Sequence, residues 1–126
     1  MSRGSQNHRH VDDRYLAAKA RQASKLAEIR TALVAAGYDT AGKQAAALGV
    51  PRPTAWALLN RDKRAGPSSV IIKRILLSQN IPPAARRKVE EYVEEKIAGL
   101  YGHTAQSRRW FRDQVNDISV RQGPNQ

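Results

Sequence analysis

The chain has 126 residues, the usual size of one domain with one modest core. It contains no Cys, which excludes disulfides, zinc fingers and thiol nucleophiles, and no run approaches the roughly 20 apolar residues that span a bilayer. With 22 Lys and Arg against 11 Asp and Glu, the formal net charge is +11, a surplus typical of proteins with a polyanionic partner, either nucleic acid or an anionic membrane.

Residues 1 to 11 form a polar, basic segment with no apolar periodicity, so we predict a disordered tail. The tail contains His8 and His10 but no third ligand, so we expect no metal site there. No apolar segment follows its first charges, so we expect no secretory signal. These features favour a cytoplasmic protein.

A long first helix is predicted from residue 12 to residue 36. Asp12 and Asp13 suit its N-terminal end, where carboxylates interact favourably with the helix dipole. Gly37 follows the helix at the place where a left-handed cap is needed. The apolar stripe of this helix lies in its second half and consists of Leu26, Ile29, Leu33 and Val34.

Two short helices come next in chain order. The first spans about residues 41 to 48, is capped by Asp39 or Thr40, and ends at Gly49. The second spans about residues 52 to 60 or 61. A Pro in its first turn is tolerated, because the donors of that turn have no partner within the helix.

Three further helices are predicted after a basic loop at residues 61 to 66. Ser68 or Ser69 caps the fourth helix, and two prolines at positions 82 and 83 break the chain after it. The fifth helix spans about residues 83 to 98. The sixth runs from a cap at Thr104 to about residue 118, and its apolar side consists of Trp110, Phe111, Val115 and Ile118.

The stretch from residue 40 to residue 61, TAGKQAAALGVPRPTAWALLNR, has the features of a helix-turn-helix. Ala45 supplies the small residue where two helices cross, and Gly49 supplies the left-handed turn. Val50, Leu48 and Leu58 are the apolar residues expected to fix the angle between the helices. The motif lies in a basic chain with predicted helices on both sides.

The chain is therefore predicted to be all-α, with about five to six helices arranged as a helix-turn-helix core and a C-terminal helical extension. We place a helix-turn-helix DNA-binding domain at residues 12 to 80 and a C-terminal helical region at residues 81 to 119. A frayed tail is expected at residues 120 to 126.

The segment QAAALGVPRPTAWALLN resembles the helix-turn-helix of λ-repressor-like regulators, a broad group of bacterial and phage DNA-binding proteins. The resemblance covers residues 40 to 61 closely and residues 26 to 77 loosely. It implies a sequence-specific regulator of transcription that binds double-stranded DNA, most simply a repressor of the kind found in temperate phages. Such a protein acts at the nucleoid of a bacterial cell or of a phage-infected host.

Two positions depart from the family pattern beside the implied recognition helix. Pro51 stands where a Ser or Thr usually caps that helix, which leaves the start of the helix open. Ala55 stands where a β-branched aliphatic residue is usual, so we expect Trp56 or Leu59 to fill the space. Trp56 is either a core residue or an outward contact, and both interpretations remain open.

The resemblance implies that the third helix enters the major groove and touches base edges with its N-terminal residues. Arg52 is the candidate for guanine, because a guanidinium donates two hydrogen bonds to O6 and N7. Other positions are expected to contact bases or phosphates. The full set of expected DNA contacts is Lys43, Gln44, Arg52, Pro53, Thr54, Trp56, Asn60, Arg61, Lys63 and Arg64.

The C-terminal region offers two alternatives for the mode of binding. In one, the chain is a homodimer on a palindromic site, with contacts from Tyr92, Val93, Ile97, Trp110 and Phe111. In the other, a monomer uses a second DNA-contacting surface on an asymmetric site. That surface would consist of Arg86, Arg87, Arg108, Arg109 and Arg112.

Other classes of function have less support in the sequence. A protein-interaction module, such as an anti-activator or a phage packaging subunit, is the alternative to a DNA-binding regulator. The four Glu between Glu90 and Glu95 follow helical periodicity and predict a solvated face, and His103 has no nucleophile beside it. We therefore expect no enzyme, no cofactor, no metal site, no membrane association and no small-molecule ligand.

Overall fold

A computed structural model describes the backbone of residues 2–60 and 66–122 and the side chains of residues 13–60 and 66–117. The regular secondary structure of these residues consists of helices joined by turns and includes no strand, which confirms the predicted all-α fold. None of the helices in the described part is long and apolar enough to cross a membrane. There are six of them: α1 (Ser2–Ala35), α2 (Ala41–Leu48), α3 (Arg52–Asn60), α4 (Ser69–Leu77), α5 (Pro83–Ile97) and α6 (Ala105–Gln122).

The outer helices extend beyond their predicted ends. Helix α1 begins at Ser2, so residues 2 to 11 belong to the helix and do not precede it as a tail. Adding a residue to an existing helix is far easier than starting one, and this segment contains no Pro to stop the extension. Helix α6 continues to Gln122, and residues 123 to 126 lie outside the described part.

Side-chain caps fix the starts of α2 and α4. Thr40 has extended backbone angles, and its hydroxyl accepts a hydrogen bond from the backbone N–H of Lys43 at 3.2 Å. The hydroxyl of Ser68 accepts in the same way from Ile71 at 3.3 Å. Between the two residues predicted for each cap, the structure therefore selects Thr40 and Ser68.

One hydrophobic core joins the helix-turn-helix to the C-terminal helices. Leu33 of α1, Leu48 of α2, Ile72 of α4 and Val89 of α5 are at most 1% exposed and belong to the same cluster. Helix α1 packs along α5 and also contacts α3. The boundary predicted at residue 80 therefore separates helices that share one core.

Tyr101, in the segment predicted as a break between α5 and α6, is a core residue. It is 0% exposed and stacks on Tyr92 with ring centroids 5.2 Å apart. Its hydroxyl donates to Glu95 Oε1 at 3.0 Å, and burial raises the pKa of this phenol. Trp110 was predicted on the apolar side of α6 but is 58% exposed, whereas the adjacent Phe111 is buried.

Charged side chains tie α1 to α5. The Lys25 ammonium lies 2.8 Å from Glu91 Oε1, and the Arg21 guanidinium Nε lies 3.1 Å from Glu95 Oε1. The hydrogen bond from Lys25 lowers the pKa of Glu91, and that bond raises the pKa of Lys25. The prediction that the acidic cluster is only a solvated face is therefore wrong for these two carboxylates, because α1 packs against them.

Candidate nucleic-acid interface

The turn between α2 and α3 has the backbone geometry that the motif requires. Gly49 has φ 72° and ψ 30°, and its N–H donates to the carbonyl of Ala45 at 2.9 Å. The N–H of Val50 donates to the same carbonyl at 3.2 Å, while the Val50 side chain is buried. The turn is therefore closed by backbone hydrogen bonds, and Val50 anchors it in the core.

Ser78, at the C-terminal end of α4, braces this turn from outside the motif. Its hydroxyl donates to the carbonyl of Ala47 at 2.7 Å, which satisfies one of the open acceptors at the end of α2. Its Cβ would lie only 3.3 Å from a Cβ added at Gly49. A side chain at position 49 would therefore meet both a left-handed backbone and a close neighbour.

Helix α3 begins at Arg52 although Pro51 offers no side-chain cap. The Pro51 carbonyl accepts the first helical hydrogen bond, from Ala55 N at 3.0 Å. Pro53 lies in the first turn, where its missing N–H removes no helical bond. The unusual residue at position 51 therefore leaves the start of the helix in the predicted place.

The inner side of α3 consists of Ala55, Leu58 and Leu59, which are 0%, 8% and 7% exposed. They belong to the same core cluster as Ala45 and Leu48 of α2. Leu59, and not Trp56, is therefore the buried residue beside the small Ala55.

The outer side of α3 is a stripe of three residues at helical spacing, namely Arg52, Trp56 and Asn60. All three are exposed, and Trp56 is 48% exposed. Pro53 next to them is also exposed, while Thr54 is half-buried. The Asn60 amide donates to the backbone carbonyl of Trp56 at 3.0 Å, so this donor serves the helix itself.

The remaining expected contacts around the motif divide into three groups. Lys43 is exposed and lies 3.3 Å from Asp39, an exposed pair that contributes little to stability. Gln44 is only 7% exposed, and its amide donates to the Tyr38 carbonyl at 3.0 Å. It therefore fastens α2 to the preceding turn and does not belong to the exposed surface. Arg61, Lys63 and Arg64 lie outside the described residues.

Two arginines of the alternative second DNA surface donate hydrogen bonds to carbonyls at the C-terminal ends of neighbouring helices. Arg86 donates to the Leu76 carbonyl at 2.8 Å and to the Ser78 carbonyl, which satisfies acceptors at the end of α4. Arg108 donates to the Ile97 carbonyl at 3.3 Å, at the end of α5. These two side chains are committed to the chain's own backbone.

The other three arginines of that set lie on the surface. Arg87 has an 81% exposed side chain, 3.8 Å from the Glu91 carboxylate. Arg112 lies 3.4 Å from Asp113, and Arg109 is exposed on the same helix. The five arginines therefore do not form one surface with a common role.

The residues considered for a dimer contact also differ in their burial. Tyr92 and Phe111 are 0% and 3% exposed, so they belong to the chain's own core and are not part of an outer surface. Val93 and Ile97 are half-buried against the same core. Trp110 is the one member of this set with a largely exposed side chain in the described structure.

The cap formed by Arg86 is directly testable. We expect Arg86→Met to lower the free energy of unfolding by about 1.5 kcal/mol, because hydrogen bonds to a charged donor are lost from the end of α4. Urea unfolding measures the change. Arg87→Met is the matched control, since its exposed side chain should change stability by less than about 0.5 kcal/mol. Equal effects of the two substitutions would contradict the cap.

Within the described side chains, no group of three or more His, Asp or Glu is placed to hold a metal ion. Comparison of the chain with known protein families, curated proteins and solved structures finds no match. A function is therefore inferred from the chain's own residues.

Proposed function

We propose that the chain is a sequence-specific double-stranded DNA-binding regulator of transcription, most simply a repressor that occupies an operator through the major groove. The observation that carries this proposal is the exposed stripe Arg52, Trp56 and Asn60 on α3, held outward by the buried side of the same helix. The N-terminal residues of such a helix contact base edges in the helix-turn-helix mode of binding.

The charge around this stripe suits a polyanion. The α2–α3 segment, residues 40 to 60, contains no Asp or Glu that would repel phosphates. Arg52 is exposed at the start of α3 and Lys43 at the start of α2. Meanwhile, Glu91 and Glu95 of the acidic cluster are paired with α1, so they neutralise charges within the fold.

Arg52 has the strongest case for base recognition. Its guanidinium is exposed in the first turn of α3, where it would donate two hydrogen bonds to O6 and N7 of a guanine. Lys43 would contact phosphate and add affinity without sequence choice. A protein of this kind would act at the nucleoid of a bacterial cell or of a phage-infected host.

Selection from a pool of random duplexes tests the proposal. We expect enrichment of one sequence, and log K for that duplex should fall linearly with log salt as counterions are released. If no duplex competes better than nonspecific DNA, the proposal is wrong.

Arg52→Ala should weaken binding to the selected duplex about tenfold and relax the preference at one base position. Fluorescence anisotropy with single-base variants of that duplex measures both effects. A uniform loss on all duplexes would instead make Arg52 a phosphate contact.

A second candidate function is a protein-interaction module, such as an anti-activator or a phage packaging subunit. Exposed apolar side chains on α4 and α6, two helices that pack against each other, favour it. They are Val70, Leu77 and Trp110, which are 56%, 44% and 58% exposed. The same residues would serve a homodimer of a DNA-binding regulator. Light scattering at increasing concentration, with and without the selected duplex, distinguishes a monomer from a dimer.

A further inference from the structure

The middle of the outer side of α3 is apolar. Between Arg52 and Asn60, which lie at its two ends, the solvent-facing residues are Pro53, Trp56 and the half-buried Ala57, with Thr54 half-buried beside them. One N–H of the Asn60 amide is bonded to the Trp56 carbonyl. Against a groove lined by polar base edges, such a surface would strip water from donors and acceptors without replacing their hydrogen bonds.

The major groove contains one apolar group, the C5-methyl of thymine. An indole ring offers a large, rigid apolar surface for a methyl group. On thymine that surface covers the methyl group, whereas on the other three bases it would cover polar atoms of the base edge. Of the four bases, thymine therefore leaves the fewest unsatisfied polar atoms under Trp56.

We propose, on the basis of the proposed function, that Trp56 selects thymine at one position of the bound site by packing its indole on the C5-methyl group. Trp56 and Arg52 are four residues apart in α3, so they are displaced by about 6 Å along the helix axis. Base pairs are spaced by about 3.4 Å along the duplex. A helix in the major groove lies at an angle to the duplex axis, so the displacement along the duplex is at most about 6 Å. The selected thymine should thus lie within two base pairs of the guanine that Arg52 contacts.

A uracil scan of the selected duplex tests this inference on the unmodified protein. Each thymine is replaced in turn by deoxyuridine, which removes the methyl group and keeps every hydrogen-bonding atom. We expect binding to weaken about fourfold at one position, the value of one buried methyl-sized group. That position should lie within two base pairs of the one relaxed by Arg52→Ala.

Two variants assign the effect to the residue. In Trp56→Ala, the duplexes with thymine and with uracil should bind equally. Trp110→Ala is the matched control, because it removes another exposed indole from a different helix. Any effect on dimer formation would change the affinity for both duplexes equally, so this variant should keep the ratio between thymine and uracil. Circular dichroism verifies that both variants are folded.

The outcomes separate the inference from the proposed function. A selected duplex that tolerates uracil at every position overturns the role of Trp56 and leaves DNA binding intact. An undiminished uracil effect in Trp56→Ala also overturns that role. If no duplex is selected at all, the proposed function fails, and the inference fails with it.

Discussion

Replacement of Gly66 by alanine is expected to lower the free energy of unfolding by about 3 kcal/mol. Gly66 has φ 74°, a left-handed conformation that costs a residue with a Cβ about 1 to 2 kcal/mol. An added Cβ would lie 2.5 Å from the Tyr92 hydroxyl and 2.6 Å from Gln22 Oε1. Both atoms belong to the interior of the fold.

These two atoms cannot move aside cheaply. The Tyr92 hydroxyl donates to Gln22 Oε1 at 3.1 Å, and the two residues are 0% and 2% exposed. Separating them would leave buried polar groups unsatisfied, at about 1 to 3 kcal/mol. Gly66 thus lies against a buried hydrogen bond between α1 and α5.

Urea unfolding followed by tryptophan fluorescence measures the effect. Gly37→Ala is the matched control, because Gly37 also has a positive φ, 98°, but nothing lies within 4 Å of an added Cβ. The free energy of unfolding of Gly37→Ala should fall only by the cost of the left-handed backbone conformation, about 1 to 2 kcal/mol. Equal losses would show that crowding at Gly66 is unimportant.

Substitution of Lys96 by methionine is expected to raise the free energy of unfolding by about 2 to 3 kcal/mol at pH 7. Lys96 is 5% exposed, and its ammonium lies 4.4 Å from the centroid of the Phe111 ring. Burial lowers the pKa of Lys96 to about 8, and the charge of Lys19 lowers it further. The contact with the Phe111 ring offsets part of the cost of burying the charge.

The sign of the pH dependence follows from the two pKa values. The pKa of Lys96 is about 8 in the folded chain and 10.5 in the unfolded chain. Between them the unfolded state binds more protons, so stability rises with pH. Below pH 8 Lys96 is charged in the folded chain, so the full cost of burying its ammonium lowers the stability. Each unit by which the pKa is lowered corresponds to about 1.4 kcal/mol of that cost. Methionine keeps the unbranched shape without the charge.

Urea unfolding of both proteins at pH 7 and pH 9.5 measures this prediction. The stability gap between Lys96→Met and the natural chain should shrink by about half at the higher pH. Both measurements stay below pH 10 because of Tyr92 and Tyr101, whose pKa values are raised by burial. Above pH 10 these tyrosines ionise in the unfolded chain but not in the folded chain, so the free energy of unfolding would fall for a reason unrelated to Lys96. A gap that is independent of pH would contradict a buried charge.

Lys88→Met is the control of opposite sign. Hydrogen bonds to Glu28 and Glu91 raise the pKa of Lys88, so its charge stabilises the folded chain. This contribution is present below pH 10.5 and is lost above the raised pKa. We therefore expect Lys88→Met to lower stability at pH 7, where Lys96→Met raises it.

Local signals predicted most of the fold. The caps at Thr40 and Ser68, the turn at Gly49 and the prolines at positions 82 and 83 placed the starts of α2, α4 and α5 and the end of α2 within one or two residues of those observed. Each of these signals acts between residues that are close in sequence. They can therefore be recognised without knowledge of the tertiary fold, although helices as short as α2 and α3 need the core to be stable.

The roles of individual polar residues were harder to predict. Gln44 is expected at DNA, and Arg86 and Arg108 belong to the alternative of a second DNA surface, but these residues bond the carbonyls of Tyr38, Leu76 and Ile97. A basic residue that faces solvent and a basic residue that caps the C-terminal end of a neighbouring helix occupy the same positions in the periodic pattern of their own helix. Which role it takes depends on tertiary packing, which periodicity does not specify.

The link from Arg86 through Ser78 to the end of α2 has a genetic consequence. Arg86 donates to the Ser78 carbonyl, and the Ser78 hydroxyl donates to the Ala47 carbonyl. If the chain is a repressor, as proposed, a screen for loss of repression should recover substitutions at positions 78 and 86 as temperature-sensitive alleles. They would loosen the packing of the turn between α2 and α3 but would remove no exposed residue of α3. Substitutions on the outer side of α3 would be defective at every temperature.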